Sequence, residues 1–146
     1  MRRDIVLDSS VLVAFGLPDE RWHATAVSVL RDVARGALHP LIAPNVRFEV
    51  RSGITRAARR GRIDWDRVDR IIAEIDALGL PVSQVTYRYS ELLPLCRSLG
   101  VTWADAHHVH LAMGTNAPLV TADLRLVRAL AGSRVWVESI ADRPMD

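Results

Sequence analysis

Apolar positions along the chain fall into short runs that alternate with longer helical stripes. Ile5-Val6-Leu7 is a brief apolar run with two β-branched members, ended by Asp8-Ser9-Ser10. It predicts a buried strand followed by residues suited to starting a helix. Val11 to Phe15 predicts a short helix stopped by Gly16 and Pro18. Ala26, Val27, Leu30 and Ala34 recur at helical spacing, predicting a helix from about Asp19 to Arg35 with Gly36 as its stop. Leu41-Ile42-Ala43 predicts a second strand, and Pro44 and Asn45 open a helix carrying Val46, Glu49, Val50 and Ile54. Asp64 caps another helix, with Val68, Ile71, Ile72, Ile75 and Leu78 on one face and Gly79 at its end. Val82 to Val85 predicts a third strand, Thr86 starts a helix ending near Leu99-Gly100, and Thr102 caps one that runs to Met113-Gly114. Pro118 to Thr121 predicts a fourth strand, Asp123 opens a short helix to Leu130, and Val135 to Val137 predicts a fifth strand at an edge.

Short strands alternating with helices predict an α/β fold: one domain over residues 1–146, with a central parallel sheet of about four to five short strands flanked by helices on both faces. Right-handed crossovers gather the carboxyl ends of such strands at one edge, where ligands of open α/β sheets bind.

Composition narrows the chemistry. A length of 146 residues suits a single domain, and 49% hydrophobic against 25% charged residues suits a packed core rather than disorder. Cys96 is the single cysteine, which excludes an intrachain disulfide and a multi-cysteine zinc site and fits a reducing cytosol. All 19 basic residues are arginine. Without lysine there is no P-loop and no Schiff base. The net charge of +2 leaves a mildly basic chain able to meet a polyanion. Arg2-Arg3 before an apolar run resembles a secretory leader, but Asp8 interrupts the run. The longest stretch free of Asp, Glu and Arg, 106–122, holds three histidines, a glycine, an asparagine and a proline, so no membrane span is expected. The expectation is a soluble, cytoplasmic protein.

The acidic residues then converge. Asp8 follows the first strand and Asp123 the fourth, so both project at the carboxyl edge. Asp105 and Glu49 lie in the first turns of helices that can begin at that edge. Clustered carboxylates raise each other's pKa values unless a cation neutralises them, and oxygen donors suit Mg²⁺ or Mn²⁺. Such a site suits metal-assisted phosphodiester hydrolysis. Each acid also has a plainer use: Asp8 and Asp123 as helix caps, Asp105 in a capping box with Thr102, and Glu49 on a solvated helix face.

The ordered set of motifs resembles the PIN domain family, and most closely its VapC toxins. Ile5-Val6-Leu7-Asp8-Ser9-Ser10-Val11-Leu12 is similar to the family's first-strand motif, and Glu49 after Ala43-Pro44 to its helix-borne glutamate. Asp105-Ala106 with the apolar helix after it, and Thr121-Ala122-Asp123, resemble the third and closing motifs. The resemblance spans almost the whole chain. It implies a Mg²⁺-dependent endoribonuclease, with Mn²⁺ as a possible substitute, whose acidic site is Asp8, Glu49, Asp105 and Asp123. Asp8 and Asp105 would be direct ligands, Glu49 and Asp123 would hold waters or a second ion, and Ser10 would support a carboxylate or phosphate. It further implies an RNA substrate, a VapB-like antitoxin and a homodimer. Many relatives carry another acid after the last aspartate, where Leu124-Arg125-Leu126 stands here, which leaves the number of metal ions open.

Arg47, Arg51, Arg56 and Arg59 line up as a track for RNA phosphates or as a solvated face. His107, His108 and His110 lack a zinc pattern and read as surface or packing residues, with His108 near the cleft also placed to contact phosphate. Trp22, Trp65, Trp103 and Trp136 are scattered and read mostly as core or interface anchors. A non-catalytic PIN-like module that binds RNA or a partner is the alternative reading, and the retention of all four acids argues against it. A haloacid dehalogenase-type phosphatase would need a second aspartate where Ser10 stands, and a lysine that the chain lacks.

Overall fold

The structure is a computed structural model describing residues 2–84 and 88–144. Its strands are β1 (Arg3–Leu7), β2 (Leu38–Leu41), β3 (Leu119–Thr121) and β4 (Val137–Ser139). Its helices are α1 (Ser9–Gly16), α2 (His23–Ala34), α3 (Val46–Arg59), α4 (Val68–Asp76), α5 (Tyr89–Leu99), α6 (Trp103–Thr115) and α7 (Leu124–Leu130). The four strands form one parallel sheet in the order β2-β1-β3-β4, flanked by helices.

β1 lies inside the sheet, and Ile5, Val6 and Leu7 are each 1% exposed or less. A parallel strand covered on both faces reads as a continuous apolar run, and that is why β1 is visible in the sequence. β2 lies at an edge and begins three residues earlier than the apolar pattern predicts, as Leu-His-Pro-Leu. Pro40 donates no backbone hydrogen bond, which an edge strand tolerates. Ile42 pairs with Val82 through a single parallel bridge, so the predicted third strand contributes one residue to the sheet margin. Val85 and Thr86 lie outside the described residues. β4 falls two residues later than the predicted fifth strand. α2 begins at His23, four residues after the predicted start. Of the four tryptophans, only Trp22 packs partly buried against the core. Trp65, Trp103 and Trp136 are exposed, which corrects the core half of their reading as core or interface anchors.

The chain changes from strand to helix at the same sheet edge after β1 and after β3. The two strands are neighbours, and the Asp8 amide donates to the Val120 carbonyl at 3.0 Å. α1 then packs closely on α3. A Cβ placed on Gly53 would sit 2.8 Å from Cγ2 of Val13, so any side chain there would force Val13 to shift. The close approach brings the preceding turn of α3, with Glu49, towards the start of α1.

Candidate functional site

Asp8 is the pivot. It occupies the N-cap position of α1, but its side chain makes no capping bond, and the residue is only 4% exposed. Its carboxylate is held instead by two hydroxyls. Ser10 Oγ donates to Oδ2 at 2.7 Å and Thr121 Oγ1 donates to the same oxygen at 2.6 Å. Ser10 Oγ also accepts from the Ala122 amide at 2.9 Å, and Thr121 Oγ1 accepts from the Asp123 amide at 3.0 Å. Residues at the carboxyl end of β3 therefore fix the orientation of the carboxylate that follows β1. Among the described residues, Oδ1 keeps two longer contacts, at 3.4 Å each, to Ser9 Oγ and His108 Nε2.

The second component is Glu49, in the first turn of α3. Its Oε1 accepts from Asn45 Nδ2 at 2.9 Å and lies 2.8 Å from His108 Nε2. His108 is fully buried, and its Nδ1 has no partner among the described residues. Burial alone lowers an imidazole pKa. The Glu49 hydrogen bond and the charges of Asp8, Glu49 and Asp105 outweigh it and raise the group above its ordinary value. Neither His107 nor His110 joins this cluster: His107 stacks edge-on against Trp103, and His110 Nε2 lies 3.4 Å from Glu91 of α5.

Asp105 and Asp123 make a separate pair. Asp105 closes a capping box with Thr102, donating its amide to Thr102 Oγ1 at 3.1 Å and accepting the Thr102 amide on Oδ2 at 3.3 Å. Asp123 caps α7, with Oδ1 accepting the amides of Arg125 at 2.9 Å and Leu126 at 3.2 Å. The plainer use predicted for each of these two is thus real. Arg125 joins them, its Nη2 lying 3.3 Å from Oδ2 of both. The four predicted acids accordingly divide into an inner half with His108 and an outer half with Arg125.

Among the described residues, Asp8, Glu49 and His108 form a group able to hold a cation, with one ligand atom from each lying within 4.8 Å of the others. Ligands about 2.1 Å from a cation in octahedral geometry stand roughly 3 Å apart along an edge. The 2.8 Å and 3.4 Å separations from His108 Nε2 bracket that spacing. The two hydroxyls occupy Oδ2 of Asp8, so Oδ1 remains for a cation. The donor set of two carboxylates and an imidazole thus fits a small divalent ion, and the nitrogen favours Mn²⁺ more than an all-oxygen set would.

Ser10, Val13, Trp22, Phe48, Glu49 and Arg56 line an open cleft beside this group. The predicted arginine track is split. Arg56 faces the cleft, whereas Arg47 and Arg51 line a different crevice beside Leu12, Ile75 and Leu80. Arg51 is engaged there, its Nη2 donating to Asp76 Oδ2 at 2.7 Å. Arg59 is exposed at the end of α3. In the sequence Thr121 stands in a motif without a task, His108 is only near the cleft, and Arg125 only fills the place of a missing acid. The available signals were the threonine ending a strand beside β1, and the i, i+3 spacing that puts His108 on the Asp105 face.

Comparison with known proteins agrees with this architecture. PAE2754 from Pyrobaculum aerophilum superposes with a TM-score of 0.69 at 22% identity, over 97% of this chain and 93% of that one. VapBC2 from Rickettsia felis, solved bound to a DNA fragment from their promoter, gives 0.63 at 17% identity, over 93% of this chain and 98% of that one. VapC20 from Mycobacterium tuberculosis, described as a toxin that cleaves the sarcin-ricin loop, gives 0.59 at 18% identity, over 86% and 94%. No curated protein sequence matches. The PIN domain model matches residues 5–131, and by that match the chain belongs to the PIN domain family.

Proposed function

We propose that the protein is a metal-dependent endoribonuclease acting as the toxin of a VapBC-type pair. The observation that carries the reading is the state of Asp8: buried, tied through Oδ2 to Ser10 and Thr121, with Oδ1 towards Glu49 and His108. A carboxylate arranged only for capping would accept backbone amides instead. Family membership supports the nuclease, and the fold shared with VapBC2 and VapC20 supports the toxin and an antitoxin partner.

In this reading Asp8, Glu49 and His108 hold the ion, and Asp105 and Asp123 complete the acidic site. When bound, Mg²⁺, or Mn²⁺ in its stead, supplies activation of water and screening of charge on phosphate oxygens. Ser10 and Thr121 keep Asp8 from rotating. Glu49, at the cleft wall, orients the attacking water. Arg56 meets an RNA phosphate on the same wall, and Arg59 continues that path. Arg47 and Arg51 stand on the α4 side of α3 and serve less directly. The antitoxin presents an arginine to the carboxylates and lays an apolar segment along Val13 and Phe48; Phe48 is 75% exposed. A homodimer and a cytoplasmic location belong to the same proposal. No described helix is long and apolar enough to cross a membrane.

The test is cleavage of total cellular RNA with Mg²⁺ or Mn²⁺, comparing wild type with Asp8→Asn. Asn retains the shape and one acceptor oxygen, so the fold should persist while cleavage is lost. Equal cleavage by both proteins would overturn the assignment.

A further inference from the structure

The outer half of the site already contains a cation, and it belongs to the chain. Arg125 is the second residue of α7, with its amide fixed to Asp123 Oδ1 at 2.9 Å. Its side chain bends back so that one nitrogen, Nη2, lies 3.3 Å from a carboxylate oxygen of Asp105 and 3.3 Å from one of Asp123. Those carboxylates come from separate elements, the first turn of α6 and the cap of α7. A guanidinium has five N–H donors in a rigid plane. Among the described residues, both side-chain contacts of Arg125 are made through Nη2, and the side chain is 63% exposed. Nε and Nη1 are therefore free of protein acceptors there.

We propose that Arg125 takes the place of a second metal ion in this site, neutralising Asp105 and Asp123 and offering its free edge to a non-bridging oxygen of the substrate phosphate. The inference rests on the nuclease reading for the phosphate, but not for the charge balance.

Two arguments support it. Asp105 and Asp123 with the guanidinium between them carry one net negative charge instead of two, so a divalent ion gains less by binding there. The contacts are also longer than the 2.7–2.9 Å of a tight charge-assisted pair, so the guanidinium is held loosely enough to shift when phosphate arrives. A planar donor edge matches two phosphate oxygens, and negative charge on those oxygens grows as water attacks phosphorus. The inner half, with Asp8, Glu49 and His108, then holds the single ion.

Calorimetric titration of the metal-free protein with Mn²⁺, beside RNA cleavage kinetics, tests the proposal. Wild type should bind one Mn²⁺ per chain. Arg125→Gln and Arg125→Glu should bind two, the second more tightly in Arg125→Glu. Arg125→Gln should lose about 10²-fold in kcat, the scale for removing one donor to a developing oxyanion, with a smaller change in KM. Arg125→Lys, which keeps the charge but not the planar edge, should retain one Mn²⁺ and recover part of kcat. A purely structural arginine would change melting temperature without changing metal stoichiometry. The proposal is overturned if wild type binds two ions or none, or if Arg125→Gln matches it in stoichiometry or, in an active protein, in kcat. Stoichiometry that follows residue 125 in a protein that cuts no RNA would refute the nuclease reading while upholding the charge balance. Active wild type with Arg125→Gln unchanged would refute only the role of Arg125.

Discussion

His108 Nε2 lies 2.8 Å from Oε1 of Glu49, so a fully buried imidazole on α6 holds the carboxylate that α3 contributes to the site. The same nitrogen lies 3.4 Å from Asp8, which makes His108, among the described residues, the one side chain that touches both inner acids. Removing it leaves Glu49 with the Asn45 amide and Asp8 with the Ser10 and Thr121 hydroxyls, but takes away the group that bridges the two carboxylates.

His108→Ala should therefore destabilise the metal-free protein by about 2–3 kcal/mol, the scale for stranding buried charge and opening a small cavity. For a chain of this size that is roughly 5–10 °C in melting temperature. His108→Gln, which keeps a donor, should lose less. Mn²⁺ should stabilise both variants less than wild type. Melting curves with and without MnCl₂ check this, and identical shifts in all three proteins would remove His108 from the site.

Thr121→Val keeps the shape of the side chain and deletes its hydroxyl. Asp8 Oδ2 loses its 2.6 Å donor and the Asp123 amide loses its 3.0 Å acceptor. The expected cost is about 1–3 kcal/mol, together with a weaker Mn²⁺ affinity because Asp8 is free to rotate. Unchanged affinity by calorimetry would show that Ser10 alone orients the carboxylate.

Four acids brought to one edge would repel, and neutralising any of them would then stabilise the metal-free protein. The observed partners reverse that expectation for Asp105. Its Oδ2 takes the Thr102 amide and lies beside Arg125, so Asp105→Asn removes an attraction. The melting temperature of metal-free Asp105→Asn should fall slightly, by an amount equivalent to about 0.5–1 kcal/mol. A rise would mean that repulsion dominates.

Arg62 clamps the loop after α1, its Nε and Nη2 each 2.9 Å from Asp19 and Glu20 respectively, and Glu20 lines the same cleft as Arg56. The hydrogen bond from Arg62 holds the Asp19 carboxyl below its ordinary pKa. A lowered folded-state pKa gives stability that is present above the unfolded value near 4 and is lost as pH falls through the folded value. Both partners are substantially exposed, so Arg62→Ala should cost only about 0.5–1 kcal/mol at pH 7. The difference from wild type should shrink in urea titrations below pH 4. A gap that persists at pH 2 would assign the effect to packing of the arginine stem.

The sequence reveals what depends on local periodicity and buried runs. β1 and β3 are apolar on both faces because both faces are covered, so Asp8 and Asp123 can be assigned to one edge before any coordinates. β2 is hidden because an edge strand carries His39 and Pro40. The pairing of acids with cations is tertiary. Helical spacing puts His108 on the Asp105 face, but it does not tell that Glu49 from α3 meets it there. Nor does any pattern in Leu124-Arg125-Leu126 tell that the arginine folds back over two carboxylates.

The bond between Thr121 and Asp8 joins residues 113 positions apart in the chain. Asp8 leaves the ribosome 113 residues ahead of the hydroxyl that orients it. Until β3 slots in beside β1, Asp8 has neither that hydroxyl nor its backbone partner at Val120. A nascent chain that has not yet reached β3 therefore lacks the assembled pocket, and translation itself delays its completion.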